Sequence, residues 1–215
     1  MTRSLLCFGD SNTHGTPPMD SLSSQGRFGI DVRWPAVMQT ILAPDWTVIE
    51  EGHPGRTTVH DDPINGVHKN GIRMLPALLE THRPLDVIVI MLGTNDLQHR
   101  FGVNAAEIAL AIGKIVETIK ASDSGINQQA PDILLMSPPP VMQSGCLAEI
   151  FENSIDNAHA LSGTIANMAR QHDVPYFDAG AHIAVSPIDG VHFDAESHIT
   201  LGHAMADAVH KFFAN

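Results

Sequence analysis

Residues 85–121 read LDVIVIMLGTNDLQHRFGVNAAEIALAIGKIVETIKA, and this stretch decides the fold class. Leu85–Leu92 is an almost unbroken apolar run of the length expected for a strand buried on both faces. Gly93-Thr94-Asn95-Asp96 interrupts it with turn-forming residues. From Asn104 to Ala121 the period changes. Ile108, Ile112, Ile115, Val116 and Ile119 fall on one face of a helix. Asn104 fits the N-cap, with Glu107 three residues on to complete a capping box. A buried strand, a polar loop and an amphipathic helix make one half of a βαβ unit.

The same alternation extends in both directions. Strand runs are expected at Ser4–Phe8, Trp46–Glu50, Ile133–Met136 and Val174–Phe177, with helical patterns between them. Ala195–Phe213 reads as a closing helix with Leu201, Met205, Ala208 and Phe212 turned to the core. About five strands alternating with helices predict an α/β protein: a three-layer, doubly wound parallel sheet covered on both faces, with residues 1–215 as one domain. In such folds ligands bind beyond the carboxyl ends of the strands. Polar segments stand at those places: Gly9-Asp10-Ser11-Asn12, Glu51–Arg56, Gly93–Asp96 and Ser137–Pro140. Asp189-Gly190-Val191-His192 precedes the last helix.

Composition removes several classes of function. Twelve Lys and Arg stand against 24 Asp and Glu, a formal charge of −12, and no basic run occurs. That balance speaks against nucleic acid and anionic membranes as partners. No apolar stretch approaches the ~20 residues needed to span a bilayer. Arg3 is followed by too short an apolar run for a secretory signal, so a cytoplasmic location is expected. Two cysteines, Cys7 and Cys146, do not make a disulfide framework in a chain of this size. Thirteen histidines raise a metal site, but no His-Glu-x-x-His spacing occurs and His60-Asp61-Asp62 is the only other His/carboxylate cluster. Neither metal nor cofactor is expected.

What remains is a nucleophile reading. A serine hydroxyl needs a neighbouring base, and a carboxylate to fix that base's tautomer. Asp189 and His192 can reach one site from a single turn, and Ser11 can meet them across the sheet edge. The oxyanion needs donors, for which the backbone N–H of Ser11, the N–H of Gly55 and the Asn95 amide are candidates. Asn12, His14 and Val191 are candidates for the substrate pocket. Taken singly, these residues have plainer readings. Ser11 could cap a helix, Asn95 could serve a turn, and His14 could be a solvated loop histidine. Asp10 and Asp96 read as structural or capping residues, Trp34 as core, and Glu51 as a partner of Arg56 or of a backbone donor. The usual nucleophile elbow fails because Thr13 stands where G-x-S-x-G needs glycine.

Together, GDSN at 9–12, the glycine segment at 52–55, GTND at 93–96 and DGVH at 189–192 resemble the four ordered blocks of the SGNH (GDSL-like) hydrolases. The resemblance implies a flavodoxin-like SGNH fold, with Ser11 as nucleophile, Asp189 and His192 as acid and base, and Gly55 (Gly52 is the weaker match) and Asn95 in the oxyanion hole. LCFGDS at 6–11, DVRW at 31–34, IEEG at 49–52, IMLGTND at 90–96, SPPP at 137–140 and FDAG at 177–180 resemble the bacterial arylesterase/acyltransferase (perhydrolase) branch. That implies a serine esterase for small acyl, aryl or alkyl esters, some transfer to alcohols or peroxide, and a homo-oligomer larger than a dimer. His14 and Thr16 replace tryptophans of that branch and Asn12 a leucine, which implies a more polar mouth and easier hydrolysis. Two alternatives stay open: a carbohydrate O-acetylesterase, and a catalytically silent SGNH-like binding module. Aromatic residues make up only 5% of the chain, which disfavours a sugar platform.

Overall fold

The computed structural model describes residues 2–213. Five parallel strands form one sheet in the order β2-β1-β3-β4-β5. They are β1 (Arg3–Gly9), β2 (Trp46–Gly52), β3 (Val87–Met91), β4 (Asp132–Ser137) and β5 (Tyr176–Asp178). The helices are α1 (Ser11–His14), α2 (Trp34–Leu42), α3 (Gly71–His82), α4 (Ala105–Lys120), α5 (Ile155–Gln171) and α6 (Ala195–Phe213). The expected strands are all present, with ends shifted by at most two residues. Asn104 caps α4 in the expected box with Glu107.

The period of two along each strand splits the core between two faces. Leu6, Phe8, Ile88, Ile90, Ile133 and Leu135 pack under α3, α4 and α5. Leu5, Cys7, Val87, Val89, Leu134 and Met136 pack under α2 and α6. Each fully buried side chain of this size contributes about 1.5–3 kcal/mol. On α6, Leu201, Met205 and Ala208 face the core as expected; Phe213 is buried where Phe212 was expected, and Phe212 is only partly covered. No helix among the described residues is long and apolar enough to cross a membrane.

Where β1 and β2 end side by side, Gly9 pairs with Gly52. A Cβ at Gly9 would lie 2.0 Å from Thr13 Oγ1, and one at Gly52 would lie 2.1 Å from the His14 nitrogen. Two bare α-carbons therefore let α1 sit directly on the sheet edge, and α1 carries Ser11. Gly52 thus serves packing against α1, and its face is closed by backbone.

Candidate active site

The loop after β1 turns at once into α1. Asp10 caps it, accepting the Asn12 N–H at 2.9 Å, and Gly15 closes it in the left-handed region at φ 87°. Ser11 is the first helical residue, so its N–H has no intrahelical acceptor. The Ser11 hydroxyl lies 3.1 Å from His192 Nε2, and His192 Nδ1 lies 2.6 Å from Asp189 Oδ2. Asp189 Oδ1 accepts the N–H groups of Val191 and His192 at 3.0 and 2.9 Å, and Oδ2 also accepts the Met19 N–H at 2.7 Å. Burial alone pushes the Asp189 carboxyl up. The hydrogen bonds and charge of His192 and the Val191 N–H outweigh it and bring the group down to about 2. Asp189 is therefore ionised at neutral pH and holds the His192 ring with Nδ1 protonated and Nε2 facing Ser11.

Gly55 and Asn95 arrive from the loops after β2 and β3. Both line the same cavity of about 880 Å³ as Ser11, His14, Val191 and His192. His53–Arg56 is a tight turn closed by the Arg56 N–H on the His53 carbonyl, with Gly55 at φ 78°. The Asn95 amide nitrogen donates to the Arg56 carbonyl at 3.1 Å and reaches Asp10 Oδ2 only at 3.4 Å. Gln98, 8% exposed, donates to Asn95 Oδ1 at 2.9 Å. The Arg56 carbonyl, which can only accept, fixes which end of the Asn95 amide is the donor end.

One expected pocket residue does not face the pocket. Asn12 is 1% exposed; its Nδ2 donates to the Val191 carbonyl and its Oδ1 accepts the Phe193 N–H. Trp34, in the core as expected, donates from its indole to the Asn12 carbonyl. Asn12 ties α1 to the 189–193 segment, so it sets the Ser11–His192 distance and adds nothing to the polarity of the mouth. His14 and Val191 do line the cavity, and Thr16 stands beside His14 at 3.2 Å.

The remaining polar residues brace the loops. Asp96 is buried and accepts the Thr58 N–H and hydroxyl. Arg56 lies over the Phe8 ring and donates to the Gly9 and Glu51 carbonyls. The Glu51 carboxylate meets His82 at 2.7 Å rather than Arg56. His60, Asp61 and Asp62 diverge: Asp61 pairs with Arg73, and Asp62 with Arg100 and Asn65. Among the described residues no group of three His, Cys, Asp or Glu is placed to hold a metal ion. Gln98 and Lys69 are site residues that the sequence reading missed. Gln98 carried one local signal, its place three residues beyond Asn95.

The model of the GDSL-like lipase/acylhydrolase family matches residues 7–199. The chain belongs to the GDSL-like lipase/acylhydrolase family. It is a carboxylic ester hydrolase on the SGNH fold. Among solved structures, an aryl esterase from M. smegmatis is 38% identical with a TM-score of 0.93, over 99% of this chain and 100% of that one. A carbohydrate acetylesterase from Sinorhizobium meliloti, Est24, is 39% identical with a TM-score of 0.93, again over 99% and 100%. A carbohydrate acetylesterase family member from Sinorhizobium meliloti is 34% identical, with a TM-score of 0.92, over the whole of both chains. Comparison with curated proteins gives no match. This GDSL-like chain thus stands between relatives named for two kinds of ester, and its loops must choose between them.

Proposed function

We propose that the protein hydrolyses small acyl esters, aryl or alkyl, through an acyl-Ser11 intermediate. The observation that carries this reading is the line from Asp189 through His192 to the Ser11 hydroxyl, 2.6 and 3.1 Å long, at the wall of the cavity. In the first half-reaction Ser11 Oγ bonds to the acyl carbon while its proton passes to His192 Nε2. The carbonyl oxygen takes the negative charge and is met by the N–H groups of Ser11 and Gly55 and by the Asn95 amide. The tetrahedral carbon then expels the alcohol, which leaves with the proton held on His192. In the second half-reaction a water gives its proton to His192 and its oxygen to the acyl carbon. The acid departs and Ser11 regains its proton. Asp189 stays ionised throughout and supports the imidazolium.

The cavity lining supports this substrate class. Phe151, Leu147, Ile150 and Val191 supply apolar lining, while His14, Thr16, Asn65 and Arg100 supply polar groups. Such a mixed lining can take both a short acyl group and an alcohol of mixed polarity. Similarity to the Sinorhizobium meliloti acetylesterases favours a second reading, with an acetylated sugar as the ester. Initial rates on phenyl acetate and on acetylated monosaccharides decide between them. The aryl ester should have the higher kcat/KM by at least tenfold; a sugar ester in front would reverse the assignment. In the same reading the chain, as one domain, assembles into a cytoplasmic homo-oligomer larger than a dimer, and acyl transfer to alcohols is minor because His14 and Thr16 admit water.

A further inference from the structure

Facing the Ser11–His192 wall, one peptide of the loop after β2 is held from its carbonyl side. The turn His53-Pro54-Gly55-Arg56 has proline in its second place and glycine at φ 78° in its third, with the Arg56 N–H on the His53 carbonyl at 3.0 Å. These are the marks of a type II turn. A type I turn on the same four residues differs by a flip of the central peptide, here Pro54–Gly55. Gly55 permits both forms because it has no Cβ to penalise either sign of φ. The flip matters to chemistry. One orientation offers the Gly55 N–H on one side of the turn, and the other puts the Pro54 carbonyl oxygen on that side, against any developing negative charge.

Lys69 holds one orientation. Its ammonium donates to the Pro54 carbonyl oxygen at 2.8 Å. That carbonyl and the Gly55 N–H belong to one planar unit and point in opposite directions, so fixing the oxygen aims the N–H. The ammonium is itself held, with Nζ 3.4 Å from His53 Nε2. Burial first, then the charges of Lys69 and Arg56, bring the His53 ring down to about 4, so at neutral pH its nitrogen can accept. The lysine stem lies along Gly55: a Cβ there would stand 3.5 Å from Lys69 Cδ and Cε. The Lys69 carbonyl accepts the Thr57 N–H at 2.9 Å, which anchors the lysine to the same loop.

We propose that Lys69 is the positioning residue of the oxyanion hole: its ammonium locks the Pro54–Gly55 peptide with the N–H toward the reacting carbonyl oxygen and polarises that N–H. The proposal rests on the reading of Gly55 as an oxyanion donor. A charged donor on one end of a peptide strengthens the hydrogen bond made by the other. Loss of a whole oxyanion donor costs about 100- to 1,000-fold in kcat. Loss of its orientation alone should cost a part of that.

The test uses Lys69→Met, which keeps the stem, and Lys69→Arg, which keeps the charged donor. On a neutral acetate ester, Lys69→Met should lower kcat about tenfold with KM within about twofold. The inhibition constant of a trifluoromethyl ketone, whose Ser11 adduct carries an oxyanion, should rise by the factor that kcat/KM falls. Lys69→Arg should restore most of the loss, and the thermal midpoints should agree. An unchanged kcat, an effect on KM alone, or a fall in kcat without weaker ketone binding would each overturn the proposal. Asn95→Ala is the control for the underlying reading, with an expected fall in kcat of about 100-fold. If it weakens the ketone and Lys69→Met does not, the role of Lys69 fails alone. If neither variant weakens it, the oxyanion hole itself is misassigned.

Discussion

The two walls of the cleft differ in what they expose to it. On the Ser11 wall the polar groups are buried and multiply bonded. Asp189 alone accepts from Val191, His192 and Met19 backbone and from the His192 ring. Asn12 stitches α1 to the segment that carries the histidine. The facing wall is made of the loop after β2 and the part of the loop after α1 beyond Met19, whose N–H reaches across to Asp189. There Leu22 is 64% and Ile64 73% exposed, and one lysine sets the orientation of a turn. The first wall spends burial and redundant bonds on a geometry that must hold to a fraction of an ångström. The second leaves apolar side chains free to meet differing esters. In the proposed reading the nucleophile and its partners belong to the first wall, while the second joins the Gly55 turn to exposed apolar side chains, and substitutions should separate those side chains from the chemistry.

The largest effect belongs to the bonded wall. Asp189→Asn keeps the size of the side chain but removes the charge that supports the imidazolium and fixes its tautomer. The rate should fall by about 10,000-fold, as in other triads, with the near-UV circular dichroism of the native fold retained. A loss smaller than tenfold would show that Asp189 only braces the loop. On the open wall, away from the Gly55–Lys69 turn, substitution should do little to kcat. Ile64→Ser and Leu22→Ser should leave kcat on a small acetate within about twofold and raise KM for longer acyl or aryl esters by about fivefold, roughly 1 kcal/mol of partial apolar contact. A fall in kcat common to all esters would erase the distinction between the walls.

This division also marks what was legible in the sequence. The strands and α4 could be read because apolar runs, period and the Asn104–Glu107 box are local signals. The blocks around Ser11, Asn95 and His192 could be read because each follows a strand or precedes a helix in a short turn. Asn12 turns away from the expected pocket because its direction is set by partners 179 and 181 residues away. A polar side chain next to a nucleophile can turn either way until those are known. Glu51 does meet Arg56, through its carbonyl, while the His82 partner of its carboxylate comes from α3 and has no local signal. Lys69 gave no signal. Its partner Pro54 is 15 residues back across an irregular loop, where no periodicity brings residues together.

The smallest effect concerns Asp10, beneath the bonded wall. Burial raises its carboxyl to about 6 from 3.8, despite the Asn12 N–H and the nearby His192 and Arg56. Between those two values the folded chain holds a proton that the unfolded chain has released, so this group's contribution to stability falls as pH rises through the window. Asp10→Asn keeps the cap on α1 and removes the titration. In urea unfolding, wild type should lose stability relative to Asp10→Asn on going from pH 4 to pH 7. A difference that stays constant or changes the other way would mean that Asp10 is ionised and paired throughout.

In the proposed reading Ser11 is the one nucleophile, activated by His192. Incubation with a fluorophosphonate probe, followed by peptide mass spectrometry, tests it most directly. One probe per chain is expected, on Ser11, with loss of esterase activity in step with labelling and no labelling in Ser11→Ala. Full inactivation with the probe on another residue, or an active enzyme that takes no label at Ser11, would contradict it.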